Sequence, residues 1–189
     1  MKQRMILTIL TALILAHVSS TLEAQDDAIR DFVMNGLTLG NNQPIHSIPR
    51  GKIAAFLGKP TKIETRQEQG FFGEDWKITT LKYYNLRITY NKSEILEEEY
   101  LSFVRSCRSD FNYKYDIKMK DTVDEVIKKL GKPHRQIKDV YGDELTYGIF
   151  EESILKLFKD PKENKEMVAS AVFMFIGGKL LCIEWTYSY

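Results

Sequence analysis

Histidine is scarce in this chain, three in 189 residues. One of them, His17, lies in an apolar N-terminal stretch, which leaves His46 and His134 without the paired spacing that metal ligands need. Cysteine is scarcer: only Cys107 and Cys182 are present. With none in the first 106 residues, a lipid anchor on a processed N-terminal cysteine is not expected. Charge of one sign is also missing, because 27 Lys and Arg face 26 Asp and Glu. Nucleic-acid binding rests on clustered basic surface, so that class is set aside. The one apolar run, 5–16, is shorter than the roughly 20 residues of a membrane-spanning helix, so no transmembrane segment is expected. There is no Gly-x-Ser-x-Gly elbow, no His-Glu-x-x-His and no phosphate-binding glycine loop. No cofactor, metal or catalytic residue is therefore expected.

What is present begins with "MKQRMILTILTALILAHVSSTLEA". Lys2 and Arg4, the apolar run and the small residues near Ser20 and Ala24 have the layout of a secretory signal peptide over 1–24. The expected destination is periplasmic or extracellular, where Cys107 and Cys182 read as a long-range staple, a reactive thiol, or two separate small residues. Residues 25–189 suit one domain or two small ones, and 43% hydrophobic with 12% aromatic content supplies a core.

Leu-Gly-Lys-Pro occurs twice, at 57–60 and 130–133. Each copy follows a short apolar-striped segment, clearest in "DTVDEVIKKLGKP", where Asp121 or Thr122 caps a helix and Val123, Val126, Ile127 and Leu130 form one stripe. Glycine after the last turn accepts a positive φ and proline cannot continue a helix, so the motif turns the chain out into a strand. In the first copy Pro49 starts an even shorter helix, weakened by Gly51. Farther on, "EILEEEYLSFV" (94–104) aligns with "EMVASAVFMFI" (166–176), and "FNYKYDI" (111–117) with "IEWTYSY" (183–189). Alternating segments follow each helix: "ITTLKYY", "LRITY", "ILEEEYLSFV" and "FNYKYDI", then "LTYGIF", "ILKLF", "VASAVFMFI" and "LLCIEWTY". Gly177-Gly178 marks a hairpin turn. The expected fold is α+β: two tandem repeats, 25–117 and 118–189, each a short helix packed on an antiparallel β-sheet, the first carrying an inserted loop at 67–75.

Exported tandem units of helix plus antiparallel sheet, each helix ending in Leu-Gly-Lys-Pro, resemble the beta-lactamase inhibitory protein-like fold. They are also similar to the SmpA/BamE-type envelope domains, which use one such unit. The resemblance implies binding of a protein partner in the envelope or outside the cell, without catalysis. The lipid-anchor cysteine of the envelope type and the cysteine pair within each repeat of the inhibitors are both missing here.

Several residues stand out as candidates. In "QEQGFFGEDW", Phe71, Phe72 and Trp76 sit where the second copy is shorter, either as contact anchors or folded onto the sheet edge. In "EILEEE", Glu97 and Glu99 share a strand face; a turn at 92–94 would set Arg87 opposite Glu99 as an ion pair on a solvated face, which is favoured over calcium binding. Leu101, Phe103, Phe173 and Phe175 are expected on one face, in central strands buried on both sides. His134, near Asp139, Asp143 and Glu144, reads as a solvated residue at a strand entrance; an acid–base role there would make the protein a small exported hydrolase. The expected function is an exported, non-catalytic protein-binding module, inhibitor-like or an assembly factor, with Phe71, Phe72, Trp76, Arg87, Glu97 and Glu99 as candidate partner-binding residues.

Overall fold

The computed structural model describes residues 26–40, 42–69, 74–93, 99–152 and 165–188. The chain enters through helix α1 (26–35), then a two-stranded ladder of β1 (Thr38–Leu39) and β2 (Gln43–Pro44). Helix α2 (Arg50–Leu57) leads into β3 (Lys62–Gln69), β4 (Asp75–Tyr83), β5 (Leu86–Ser93) and β6 (Glu99–Ser106). Helix α3 (Val123–Leu130) leads into β7 (Arg135–Asp139), β8 (Gly142–Glu152), β9 (Lys165–Ile176) and β10 (Lys179–Tyr187).

The strand order overturns the expected pair of helix-on-sheet repeats. All eight long strands belong to one antiparallel sheet, ordered β3-β4-β5-β6-β10-β9-β8-β7. Its middle is the β6–β10 seam, with Ser106 opposite Ile183, Val104 opposite Trp185 and Phe103 opposite Thr186. Two further equivalences behind the repeat fail. "FNYKYDI" is not a strand; it is a loop with a 3-10 turn at Lys114–Asp116, whereas "IEWTYSY" lies mostly in β10. The 94–104 segment feeds β6, fourth in its run of strands, whereas 166–176 is β9, third in its own. Residues 67–75 are not a simple inserted loop either, since 67–69 and Asp75 extend the β3–β4 pairing, Gln69 lying opposite Asp75.

The core explains why one sheet forms. Its buried residues make a single cluster from Ile29 to Tyr187 that includes side chains of both runs of strands. The middle of the sheet is covered by α1, which precedes both. Ile29, Phe32 and Val33 are spaced for one helical face, and Phe32 stacks on Phe173 at 5.3 Å and tilts onto Trp185 at 5.9 Å. Tyr113, from the β6–α3 connection, stacks on Trp185 from the same side at 6.0 Å. By contrast α2 buries only Ile53 fully.

The local reading of the two Leu-Gly-Lys-Pro motifs agrees with the structure. Gly58 (φ 74°, ψ −167°) and Gly131 (φ 85°, ψ −166°) both follow their helices in backbone conformations that favour glycine. Each donates its N–H into the last turn, to the Ala54 and Ile127 carbonyls. Thr122, rather than Asp121, caps α3 in a reciprocal box with Glu125. Helix α2 is as long as α3, eight residues. Gly177 and Gly178, at φ 58° and 71°, turn β9 into β10.

A disulfide joins Cys107 to Cys182 across the end of the seam, with Cα atoms 4.2 Å apart. Of the readings left open by the sequence, this is the staple.

Candidate functional site

Strand alternation gives the sheet two unlike faces. One row across it runs Leu81, Ile88, Val104, Trp185, Ala171 and Tyr147. All six are buried, on the face that packs against the helices. One residue farther along each strand, the opposite face carries Lys82, Arg87, Arg105 and Glu184 in one row and Thr80, Thr89, Phe103 and Thr186 in the next. Over β3 to β6 and β10 this second face forms an open hollow of about 550 Å³, whose lining includes Glu64, Arg66, Thr80, Asn91, Ser102 and Phe103. No described helix packs across it.

The polar groups of this face are tied to one another. Thr80 and Thr89 share a hydrogen bond of 3.1 Å across β4 and β5. Ser102 donates to the Asn91 side chain at 3.0 Å. Lys62 and Lys82 both reach Glu64, at 2.8 and 2.7 Å. Their hydrogen bonds hold the Glu64 carboxyl down to about 2. Arg66 pairs with Glu68 at 2.9 Å and Arg105 with Glu184 at 3.3 Å.

The predicted residues are only partly brought together. Phe71, Phe72 and Glu97 lie outside the described residues. Trp76 is not on a loop: it is half-buried in β4, donates to Glu74 at 3.0 Å and meets the Tyr100 ring edge-on at 5.9 Å. Arg87 is exposed on the open face. The expected Arg87–Glu99 pair does not form, because Arg87 lies opposite Arg105 and Glu99 lies opposite Lys92. Lys92 and Ser93 still belong to β5, so the register differs from the one a turn at 92–94 would set, and Glu99 instead binds Arg50 of α2 at 2.8 Å.

The face assignments shift for a related reason. A bulge at Ser102 gives β6 one extra residue between the Thr89–Phe103 and Tyr90–Leu101 pairs. Leu101 therefore stays in the core while Phe103 turns to the open face, where it is only partly buried. The central strands are not buried on both sides. Thr186 is exposed and Val172 only half-buried on the open side.

The open-face residues that the sequence reading missed are Lys82, Arg105, Thr80, Thr89, Asn91 and Ser102. Their signal is the polar half of each alternating strand, beside the apolar half that forms the core.

His134 stands apart from this face. It is exposed, and its Nδ1 accepts a hydrogen bond from the Gly148 N–H at 3.1 Å. A cavity of about 300 Å³ beside it is lined by Asp26, Asp27 and Arg30 of α1, and not by Asp139, Asp143 or Glu144. Among the described residues, no three His, Cys, Asp or Glu side chains come together as a metal site. No described helix is long and apolar enough to cross a membrane.

No known protein family matches the sequence, and no curated protein matches it. Among solved structures it is similar to an extracellular protein containing an SCP domain from Bacillus anthracis str. Ames, at 16% identity and a TM-score of 0.35. That similarity covers 73% of this chain and 42% of the other, and it is too slight to carry an argument about fold or activity.

Proposed function

We propose that the protein is an exported, non-catalytic binding module that holds a protein partner against the open face of its sheet. The observation behind this reading is the contrast between the faces: the helices and the main hydrophobic cluster occupy one side, while the other offers a largely polar hollow of about 550 Å³ edged by Phe103 and Ile78. Charged and hydroxyl side chains fixed by mutual bonds form a preformed surface, which lowers the ordering cost of association. The Cys107–Cys182 disulfide supports an oxidising compartment, periplasmic or extracellular. The resemblance of the two helix-ending Leu-Gly-Lys-Pro motifs to those of inhibitor and envelope-assembly proteins points the same way by analogy.

The test is Ser102→Arg, which fills the middle of the hollow from a half-buried position. Partner recovered from envelope extract by the unaltered protein should be lost with the variant at unchanged thermal stability. Full recovery by a stable variant would move the binding surface elsewhere.

A hydrolase centred on His134 has one observation in its favour, the cavity that the imidazole shares with Asp26 and Asp27. His134→Ala should leave partner capture intact. Loss of a hydrolytic activity in that variant would favour the enzyme instead.

A further inference from the structure

At the turn end of the open face, three adjacent strands each place a cation in the same row. Lys82 lies opposite Arg87, and Arg87 lies opposite Arg105. Direct cross-strand neighbours have β-carbons roughly 5 Å apart, and like charges at that distance destabilise a sheet. Lys82 and Arg105 each have a carboxylate on the side away from Arg87, Glu64 and Glu184 respectively. Arg87, in the middle, has no carboxylate partner among the described residues. A cavity of about 300 Å³ opens beside the row; Lys82, Arg87 and Arg105 line it with Asn85 and Cys107, and no acidic residue does. The disulfide at Cys107 and the tight Tyr83–Leu86 turn, with Asn85 at φ 54°, fix the end of the cavity.

We infer that the Lys82–Arg87–Arg105 row is an anion site that takes a carboxylate from an acidic segment of the protein partner. The inference rests on the open-face reading and adds the partner's chemistry. A guanidinium presents parallel N–H donors that match a carboxylate fork. The flanking Lys82 and Arg105 supply further positive charge, and each keeps its own counter-ion. Repulsion along the row is relieved when the acidic group enters. The neighbouring hollow offers the hydroxyl and amide groups of Thr80, Thr89, Asn91 and Ser102 to the backbone and side chains flanking it.

The test uses the full chain and a fluorescently labelled hexaglutamate peptide, read by anisotropy in 20 mM and 150 mM salt, with inorganic phosphate as a separate ligand. The peptide should bind, and weaken as salt screens the row. Arg87→Glu should weaken it at least tenfold, Arg87→Lys only a few-fold, and Lys52→Glu, on exposed α2 surface, not at all. Because Arg87 sits between two cations, Arg87→Glu should also raise the melting temperature of the unliganded protein. Equal peptide affinity for Arg87→Glu, a fall in its melting temperature, or phosphate binding without peptide binding would each overturn the inference. In partner capture, loss with Ser102→Arg but not with Arg87→Glu would overturn the anion site and leave the open-face reading standing. Capture unaffected by either variant would overturn both.

Discussion

Breaking the disulfide should cost this protein a large part of its stability. Cys107 and Cys182 are 75 residues apart in sequence, and their bond closes the seam at which the two runs of strands meet. Releasing a loop of that length returns entropy to the unfolded chain worth about 4.5 kcal/mol at 25 °C on the chain-entropy account. For a urea dependence of about 2 kcal/mol per molar, the midpoint of unfolding should fall by about 2 M on converting both cysteines to serine. The assay is equilibrium urea unfolding followed by tryptophan fluorescence, since Trp185 is fully buried at the seam. The loss should come as one displaced transition, because the core is a single cluster spanning both sides of the seam. Two separated transitions, or an unchanged midpoint, would refute this reasoning. So would two titratable thiols in denaturant without reductant.

Three further outcomes follow from particular side chains. Phe32→Ala, which removes the ring that α1 lays on Phe173 and Trp185, should destabilise by about 3 to 5 kcal/mol in the same assay; a cost under about 1 kcal/mol would mean that α1 is peripheral. Gly58→Ala should cost about 1 to 3 kcal/mol by calorimetry because φ +74° with ψ −167° is a region kept almost wholly for glycine, although space is available, whereas Gly51→Ala, in the first turn of α2 with open space around it, should stabilise by about 0.5 to 1 kcal/mol. His46 has a buried Nδ1 without a hydrogen-bond partner, and burial pushes its pKa down against the opposing pull of the Met34 carbonyl. Its contribution to stability is therefore full above pH 6.5, where the unfolded chain is also neutral, and is lost as pH falls below that value. His46→Phe should flatten the decline in stability between pH 6.5 and 5; an unchanged slope would show that the ring does not resist protonation.

What could be read from the sequence was local. The glycines of Leu-Gly-Lys-Pro declared themselves because few other residues accept their backbone angles, and most of β4, β5 and β8 to β10 declared themselves by alternation. The strands β3 and β7 were missed for a physical reason. "KIETRQEQ" and "RQIKD" lie at the two edges of the sheet, where charge protects exposed backbone and the apolar period disappears. Helix α1 carries its signal in Ile29, Phe32 and Val33, but three apolar residues directly behind the apolar 5–16 stretch are too short a pattern to stand out. The pairing of β6 with β10 has no local signature, so the sheet was divided in two. The cysteines are the exception: a Cys107–Cys182 bond joins the ends of those two strands. The Ser102 bulge was equally invisible, and it moved Phe103 from the core to the candidate binding surface.

The central claim, that the open face is where a partner sits, is tested most directly by site-specific photo-crosslinking. A photoreactive phenylalanine analogue would replace Phe103 on the open face in one variant and Phe56, exposed on α2, in another. Both would be irradiated in the envelope of the producing cell. The account predicts one discrete crosslinked protein from position 103 and none from position 56. Crosslinking from position 56 with none from position 103 would contradict it.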